Sequence, residues 1–600
     1  MVLRNVFTVR TLKTAAWTPA RVAKGSGFPR SPIRPCASGC TTLSDELHFI
    51  TTPIFYVNAA PHIGHLYSAV IADYLHRYKL IRGITSKFST GTDEHGLKIQ
   101  QAAACAGEDP LTFCTEVSGQ FRHLFEKCDI SYTDFIRTTD ERHRHAVEQF
   151  WAVLQRGGHI YKGTYQGWYS TQDESFLTPT QVGDSTDSDG TAIKVSLESG
   201  HKVEWMEEKN YMFRLSAFRC ALQRWLAETP GAIQPERFRH VVLQWLQDDL
   251  PDLSVSRQRG RLQWGVPVPG DPEQTVYVWL DALVNYLTAA GYPEQHPRWW
   301  AAARHVIGKD ILKFHAIYWP AFLLAAGLPL PRVILVHSHW TVEGQKMSKS
   351  RGNVVNPLET SGLLTTDGLR YFLLRQGVPD SDCDFYEDKA VKLVNSELAD
   401  ALGGLLNRCT ALSLNPEQVY PRFCATSFPR EGAAGVGRRA VPEDYGMLES
   451  VEALPGLVAQ HYESLQAYKA LEAVAACVRH TNGFFQRHTP WKLDRGTPSD
   501  RSWLDTILHI SLECLRIYGI LLQPAVPLLA DKLLSRLGVW PEERAWGNLC
   551  FLARHRGDAC PFEGRALGPE TGLFFPRLDR PKASKADSKS RKKTASSKQR

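Results

Sequence analysis

The sequence predicts a parallel α/β domain followed by a separate all-α helical domain. In the first half, short apolar runs that read as strands alternate with apolar positions at three- and four-residue spacing, separated by Gly- and Pro-bearing turns. After Asn395 the strand-like runs stop and helical spacing takes over. With 600 residues, the chain is too long for one hydrophobic core, so two or three domains are expected.

Leu47 to Val57 reads as a buried strand that turns at Asn58, Ala59 and Pro61. A helix follows, with Ile63, Leu66, Val70, Tyr74 and Tyr78 on one face and Gly83 as its stop. A short strand, Ser86 to Ser89, leads into the Gly91–Gly96 loop. Further on, Arg304 to Ile307 and Arg332 to Val336 read as strands around a long helix. Between Tyr165 and Asn210 the texture changes to that of an insertion, in which Gln181 to Gly190 reads as a polar loop. In the helical part, Leu398, Leu402, Leu405 and Leu406, then Leu504, Ile507, Leu508 and Leu512, mark helix faces, and Asn415 to Glu443 reads as a long loop.

Charge is unevenly placed. Up to Ser44 there are five Arg, two Lys and no acid, and from Pro581 to Arg600 there are eight basic residues against Asp587 alone. The chain carries +7 overall, so the body between these ends is about −7, and net charge cannot argue for a nucleic-acid partner. The acid-free, Arg-bearing start matches a mitochondrial transit peptide over residues 1–44, a disordered basic arm being the alternative. No apolar run reaches the roughly 18 residues of a bilayer span, so no membrane partner is expected. The thirteen cysteines form no repeated close pairs, which suits a reducing compartment and gives neither a disulfide framework nor a zinc ribbon.

Two short stretches carry chemistry. Pro61-His62-Ile63-Gly64-His65 lies where the first strand meets its helix. A helix N-terminus offers unpaired N–H groups to an anion, Gly64 admits close approach, and both imidazoles can face a phosphate. Two surface histidines on an ordinary cap would read the same way. Lys346-Met347-Ser348-Lys349-Ser350, before Arg351 and Gly352, places two lysines where they can reach the outer phosphates of ATP; alone it would read as a solvated basic loop. In this order, the two motifs resemble the signature of class I aminoacyl-tRNA synthetases. Their reaction needs positioning and fixed positive dipoles around phosphate oxygens rather than a covalent nucleophile.

The resemblance narrows to methionyl-tRNA synthetases in the blocks Ile50–Asn58, Gly91–Gly96, Val278–Tyr286 and Ile307–Ile311, and in Phe314–Trp319. It runs densely from Phe49 to Ala411. It implies a Rossmann-like parallel-sheet catalytic domain with a connective insertion, then a helical anticodon-binding bundle. By position, His62, His65, Lys346 and Lys349 would be catalytic. With Gly64, Gly308, Asp310, Met347, Ser348 and Ser350 they would hold ATP, supplied as its Mg2+ complex. Asp93 would pair with the substrate ammonium group. Ile54, Tyr56, Trp279, Ala282, Tyr286, His315 and Trp319 would line a methionine pocket, an apolar, aromatic-walled slot suited to a thioether. Arg408 and Trp491 would read a CAU-type anticodon by hydrogen bonding and stacking.

The implied organisation is transit peptide 1–44, catalytic halves 45–160 and 271–345 around an insertion 161–270, a lysine-loop and stem-contact region 346–394, the helical domain 395–575 and a basic tail 576–600. Only 281 residues separate His65 from Lys346, too few for the large editing insertion of the Val, Ile and Leu relatives. Two departures stand out. Where relatives carry a Cys-x-x-Cys zinc knuckle, this chain has Ser170 and Asp173, so no structural zinc and no metal site are expected. Where relatives often place Asn, it has Gly404. The expected partners are L-methionine, ATP and a mitochondrial tRNA(Met) in the matrix, with the chain a monomer. A nucleotidyltransferase without a tRNA partner, or an RNA-binding protein that has lost catalysis, are the competing readings.

Overall fold

The computed structural model describes residues 46–170, 175–177, 181–187, 189–197, 199–347, 352–429, 439–550, 562–570 and 572–579. The transit segment, most of the basic tail, Ser348, Lys349, Ser350 and Asp173 lie outside them.

The centre is a parallel sheet. Strand β1, Leu47–Thr51, pairs on one side with β3, Thr85–Asp93, and on the other with Ala303–Gly308. The sheet continues through Val333–His337 to Ile233–Gln234. Beyond β3 lies β4, Asp134–Arg137, also parallel. The chain leaves β1 and turns outward at the edge where the sheet order reverses, the place at which parallel sheets bind ligands beyond the carboxyl ends of their strands.

The strand expected from Leu47 to Val57 is broken. Pairing stops after Thr51 and resumes as β2, Phe55–Tyr56, against Thr92 and Asp93. Pro53 lacks an N–H for a ladder, and the break leaves Pro53 and Ile54 facing the cavity described below. Helix α1, Ile63–Ile81, then runs along the sheet, and the chain turns at Gly83 with φ +76°. The long helix expected between the two later strands is segmented instead. A 3₁₀ turn, Lys309–Ile311, leads to a π turn, Phe314–Tyr318, and an α-helix, Trp319–Ala325. Pro320 cannot donate to an α ladder, which puts the irregular turn just before it.

The insertion forms an antiparallel sheet built on Ile160–Ser170 against Lys202–Phe213. The polar stretch expected as a loop is a hairpin, Val182–Thr186 against Ala192–Ser196. Asp187 caps its turn by accepting from the Asp189 and Thr191 N–H groups. Its polarity reflects two solvated faces, not the absence of a strand.

Helices follow from Glu387 onward, among them Pro442–Glu463, Ala467–Arg487 and Pro498–Leu522. Between Ala411 and Val441 the described residues form no helix or strand beyond a bridge from Val419 to Ala566, as expected of the long loop. The apolar core on one face of the parallel sheet, with Val70 and Tyr74, runs unbroken into that of the helices, with Leu454, Leu471 and Leu521. The other face packs with the insertion around Phe150, Trp300 and Trp319.

Candidate active site

The carboxyl ends of β1, β3, Ala303–Gly308 and Val333–His337 open into one cleft with a cavity of about 340 Å³. Its wall takes Ile54 and Tyr56 from the strand break, His62, Gly64 and His65 from the start of α1, and Asp93 from the end of β3. Trp279, Ala282 and Tyr286 come from the helix Val278–Ala290, Gly308, Asp310 and His315 follow the next strand, and Lys346 and Met347 close the far side.

At the start of α1 the two imidazoles stack, ring centroids 3.8 Å apart. His62 Nδ1 accepts from the Gly64 N–H at 3.0 Å, and His65 Nδ1 accepts from the His62 N–H at 3.1 Å. Because both Nδ1 atoms accept, each neutral ring carries its proton on Nε2 and is a donor there. Burial pushes the His65 pKa well down, His62 adds to this, and Asp310 opposes it, so the ring is neutral at ordinary pH. Ile63, the first helical residue, gives its N–H to the Val355 carbonyl at 3.2 Å, which ties the chain beyond the lysine motif to the helix start.

Opposite lies the lysine motif. Trp340–Val342 and Gln345–Lys346 form a hairpin whose Gly344 N–H donates to Asp384 Oδ1 at 2.9 Å. Lys346 Nζ stands 3.9 Å from Asp310 Oδ2, and His339 Nε2 stands 3.1 Å from Asp310 Oδ1. Desolvation by the cleft walls opposes ionisation of the half-exposed Asp310, but the His339 hydrogen bond and the His339 and Lys346 charges outweigh it and hold its carboxyl far below the usual range. The imidazole pair and Lys346 with Met347, far apart in sequence, thus face one cavity.

The third part is aromatic. The Tyr286 hydroxyl pairs with His315 Nε2 at 2.7 Å, while His315 Nδ1 pairs with the Ile311 carbonyl at 2.9 Å. A carbonyl only accepts, so Nδ1 is the donor and Nε2 receives the tyrosine proton. Burial brings the His315 pKa down to about 4. Behind Tyr286, His305 stacks at 4.1 Å and pairs with Thr51 Oγ1 at 2.9 Å. Trp279 lies flat on Phe314, centroids 3.6 Å apart. The slot is apolar, aromatic and uncharged, and Asp93 lines the same cavity.

Trp319 is placed differently from the expectation. It is fully buried behind the wall, 6.1 Å from Tyr286, and donates its Nε1–H to His305 at 3.3 Å. It supports the slot from the core and does not face the cavity. Arg408 and Trp491 lie in the helical part. Arg408 donates to the Gly404 carbonyl at 3.0 Å and to Asn482 Oδ1 and lies over the Phe485 ring, while Trp491 is 48% exposed. A Cβ at Gly404 would meet nothing within 4 Å.

Sequence reasoning missed several neighbours of the cleft. His337 ends its strand and pairs with Ser68 of α1 at 2.7 Å, and burial lowers its pKa to about 4. Asp281, buried in the helix Val278–Ala290, pairs with His95 at 2.6 Å and His143 at 2.9 Å, which anchors the loop that carries Asp93. Lys98 lines the cleft over the Tyr56 ring. A signal existed for one of them: the run His337-Ser338-His339 stands at a predicted strand end, where ligand-facing residues collect. Among the described residues no group of three or more His, Cys, Asp or Glu is arranged to hold a metal ion, and no helix is long and apolar enough to cross a membrane.

Comparison with known proteins agrees with this geometry. Residues 48–410 match the family described as tRNA synthetases class I (M). The chain is 68% identical to a protein of Takifugu rubripes named methionine--tRNA ligase, mitochondrial, over 89% of this chain and 90% of the relative. It is 62% identical to the human protein of that name, over 89% and 91%. Among solved structures, the Mycobacterium tuberculosis methionyl-tRNA synthetase in complex with methionyl-adenylate superposes with a TM-score of 0.80 at 36% identity, over 88% of this chain and 99% of that one. This chain therefore belongs to the methionyl branch of the class I tRNA synthetases.

Proposed function

We propose that the cleft joins L-methionine to ATP, giving methionyl-adenylate and pyrophosphate, and then passes the methionyl group to the 3′-terminal ribose of a tRNA(Met) in the mitochondrial matrix, releasing AMP. The observation that carries this is the convergence of three different surfaces on one cavity: an imidazole pair at a helix start, a lysine hairpin, and an uncharged aromatic slot, with the Asp93 carboxylate in the same wall.

A methionine carboxylate oxygen attacks the α-phosphorus, the bond to the bridging oxygen of the β-phosphate breaks, and pyrophosphate leaves with that electron pair. Charge grows on the α-phosphate oxygens and on the leaving group. His62 and His65, held by their Nδ1 contacts with Nε2–H as donor, meet the first; Lys346 and Lys349 meet the second. Magnesium enters as part of the ATP substrate. Asp93 takes the ammonium group, Asp310 and Gly308 the adenosine ribose, and Ile54, Tyr56, Trp279, Ala282, Tyr286 and His315 surround the thioether, with Trp319 backing them. The slot separates methionine from other apolar side chains by about 1–3 kcal/mol per methylene.

In the helical part, Arg408 and Trp491 take the anticodon, an exposed indole being a stacking platform for a splayed base. The insertion folds without zinc. Ser170 is buried in its strand, and Arg261 braces the sheet by pairing with Glu208 at 2.7 Å and lying over Tyr169. The enzyme acts as a monomer.

Methionine-dependent ATP–pyrophosphate exchange tests the reading, followed by charging of a mitochondrial tRNA(Met) transcript. Exchange without charging would favour a nucleotidyltransferase; neither activity would favour a non-catalytic RNA-binding protein. Stoichiometric zinc in the purified protein would end the zinc-free reading.

A further inference from the structure

Two neighbouring strands of the sheet end at Gly308 and His337, and each is followed by a residue that faces its counterpart across the gap. We propose that His339 is a positioning residue for the nucleotide: it holds the Asp310 carboxylate in the orientation that receives the hydroxyls of the adenosine ribose. This rests on the reading of Asp310 as the ribose partner given above.

Asp310 has little to hold it in place by itself. It sits on a single 3₁₀ turn, Lys309–Ile311, and its side chain is about half exposed. A carboxylate in that setting can rotate, and the cation 3.9 Å from its Oδ2, Lys346, belongs to a motif that must reach for phosphates when ATP enters. His339 supplies the fixed contact. Its Nε2 lies 3.1 Å from Oδ1, and a carboxylate only accepts, so the imidazole is the donor. The acceptor positions not taken by His339 or by the backbone N–H of Asp310 remain for a diol.

The backbone that carries the imidazole is itself held. The main-chain N–H of His339 donates to Asp382 Oδ1 at 2.9 Å, and Lys309 Nζ grips both oxygens of the same Asp382 at 2.7 and 2.8 Å. Asp382 thus braces residue 309, beside Asp310, and residue 339 together, fixing the distance the hydrogen bond must span. Gly308 fits the same plan: a Cβ there would come within 2.7 Å of Asp310 Oδ1 and push the carboxylate off this contact. When Lys346 leaves for the triphosphate, Asp310 keeps its orientation because His339 remains.

The test is ATP–pyrophosphate exchange with ATP, 2′-deoxy-ATP and 3′-deoxy-ATP. His339→Phe keeps an aromatic ring and removes the donor, while His339→Gln returns a donor. We expect H339F to raise the KM for ATP about tenfold, the loss of one hydrogen bond to a charged group, with the KM for methionine unchanged. It should also shrink the preference for ATP over the deoxy analogues by a similar factor, and H339Q should restore most of both. An unchanged ATP preference in H339F would overturn the proposal, whether the KM values stay put or those of both substrates rise together. Asp310→Asn separates the two levels. If D310N erases the preference and H339F does not, the positioning role fails while Asp310 stands as the ribose partner. If D310N also leaves the preference intact, both readings fall.

Discussion

Arg370 Nη2 meets Asp73 Oδ2 at 2.5 Å with both side chains fully buried, and the same guanidinium donates to the carbonyls of Ala525 and Cys128. Burial opposes ionisation of Asp73, but Arg370 and Arg77 outweigh it and keep its pKa below the ordinary value. Asp73 also holds Arg77 at 2.8 Å and accepts from Ser131, so it serves two guanidiniums at once. Breaking a buried pair by removing one partner typically costs about 3–5 kcal/mol. Asp73→Asn, which takes the counter-charge from both arginines, should therefore lower the thermal unfolding midpoint more than Arg370→Met, which leaves Arg77 in place. Equal midpoints for the two variants would deny Asp73 this double role.

His65→Asn keeps an acceptor for the His62 N–H and withdraws the Nε2–H donor. The expected result is a fall of about 10²–10³ in kcat for exchange, the cost of one lost transition-state donor, with the KM for methionine and the melting curve little changed. Equal losses in stability and in rate would mark the residue as a cap and nothing more.

The pH dependence follows from burial. His315 titrates near 4 in the folded chain against an ordinary 6.5. Between these values the unfolded chain binds the proton and the folded one does not, so stability is full above about 6.5 and falls as pH drops toward 4, by ~3 kcal/mol at most. His337, also near 4, acts in the same direction. The melting temperature should drop between pH 7 and pH 5, and His315→Gln should flatten that slope while raising the KM for methionine. A slope as steep in the variant as in the parent would rule His315 out as a contributor.

Trp491→Ala should leave exchange untouched and raise the KM for tRNA(Met) by the roughly 1–3 kcal/mol that stacking on one base contributes. Arg408→Ala should do the same, and both should lose their effect on a tRNA whose anticodon has been replaced. An unchanged KM for Trp491→Ala would leave it as an exposed surface residue.

Much of this was legible in the chain itself. The His62/His65 and Lys346 motifs could be read because a phosphate site needs few residue types at short spacing, and Leu47 to Ser89 could be read because buried strands and helices carry distinct periods. Other features depend on tertiary placement. Nothing local distinguishes Trp319, fully buried in the core, from Trp279, on the cavity wall, since both lie on apolar helical runs. The partnership of Asp281 with His95 and His143 spans more than 130 residues and leaves no local pattern. The hairpin at Val182–Thr186 escaped because neither face is buried against the core, so its alternation carries no apolar signal.

Helix α1 has 19 residues and is therefore ~28 Å long. One end carries the histidines; at the other, Lys79 pairs with Glu463 at 2.6 Å and Tyr78 packs on Tyr462, both from the helical half. The helix is in effect a lever with its handle in the helical half and its tip at the cleft. A tilt of about 2° at the handle moves the tip by ~1 Å, and a shift of that size can change a rate about a hundredfold. A displacement imposed on the helical half can thus reach the imidazole pair, with no messenger other than a stiff rod.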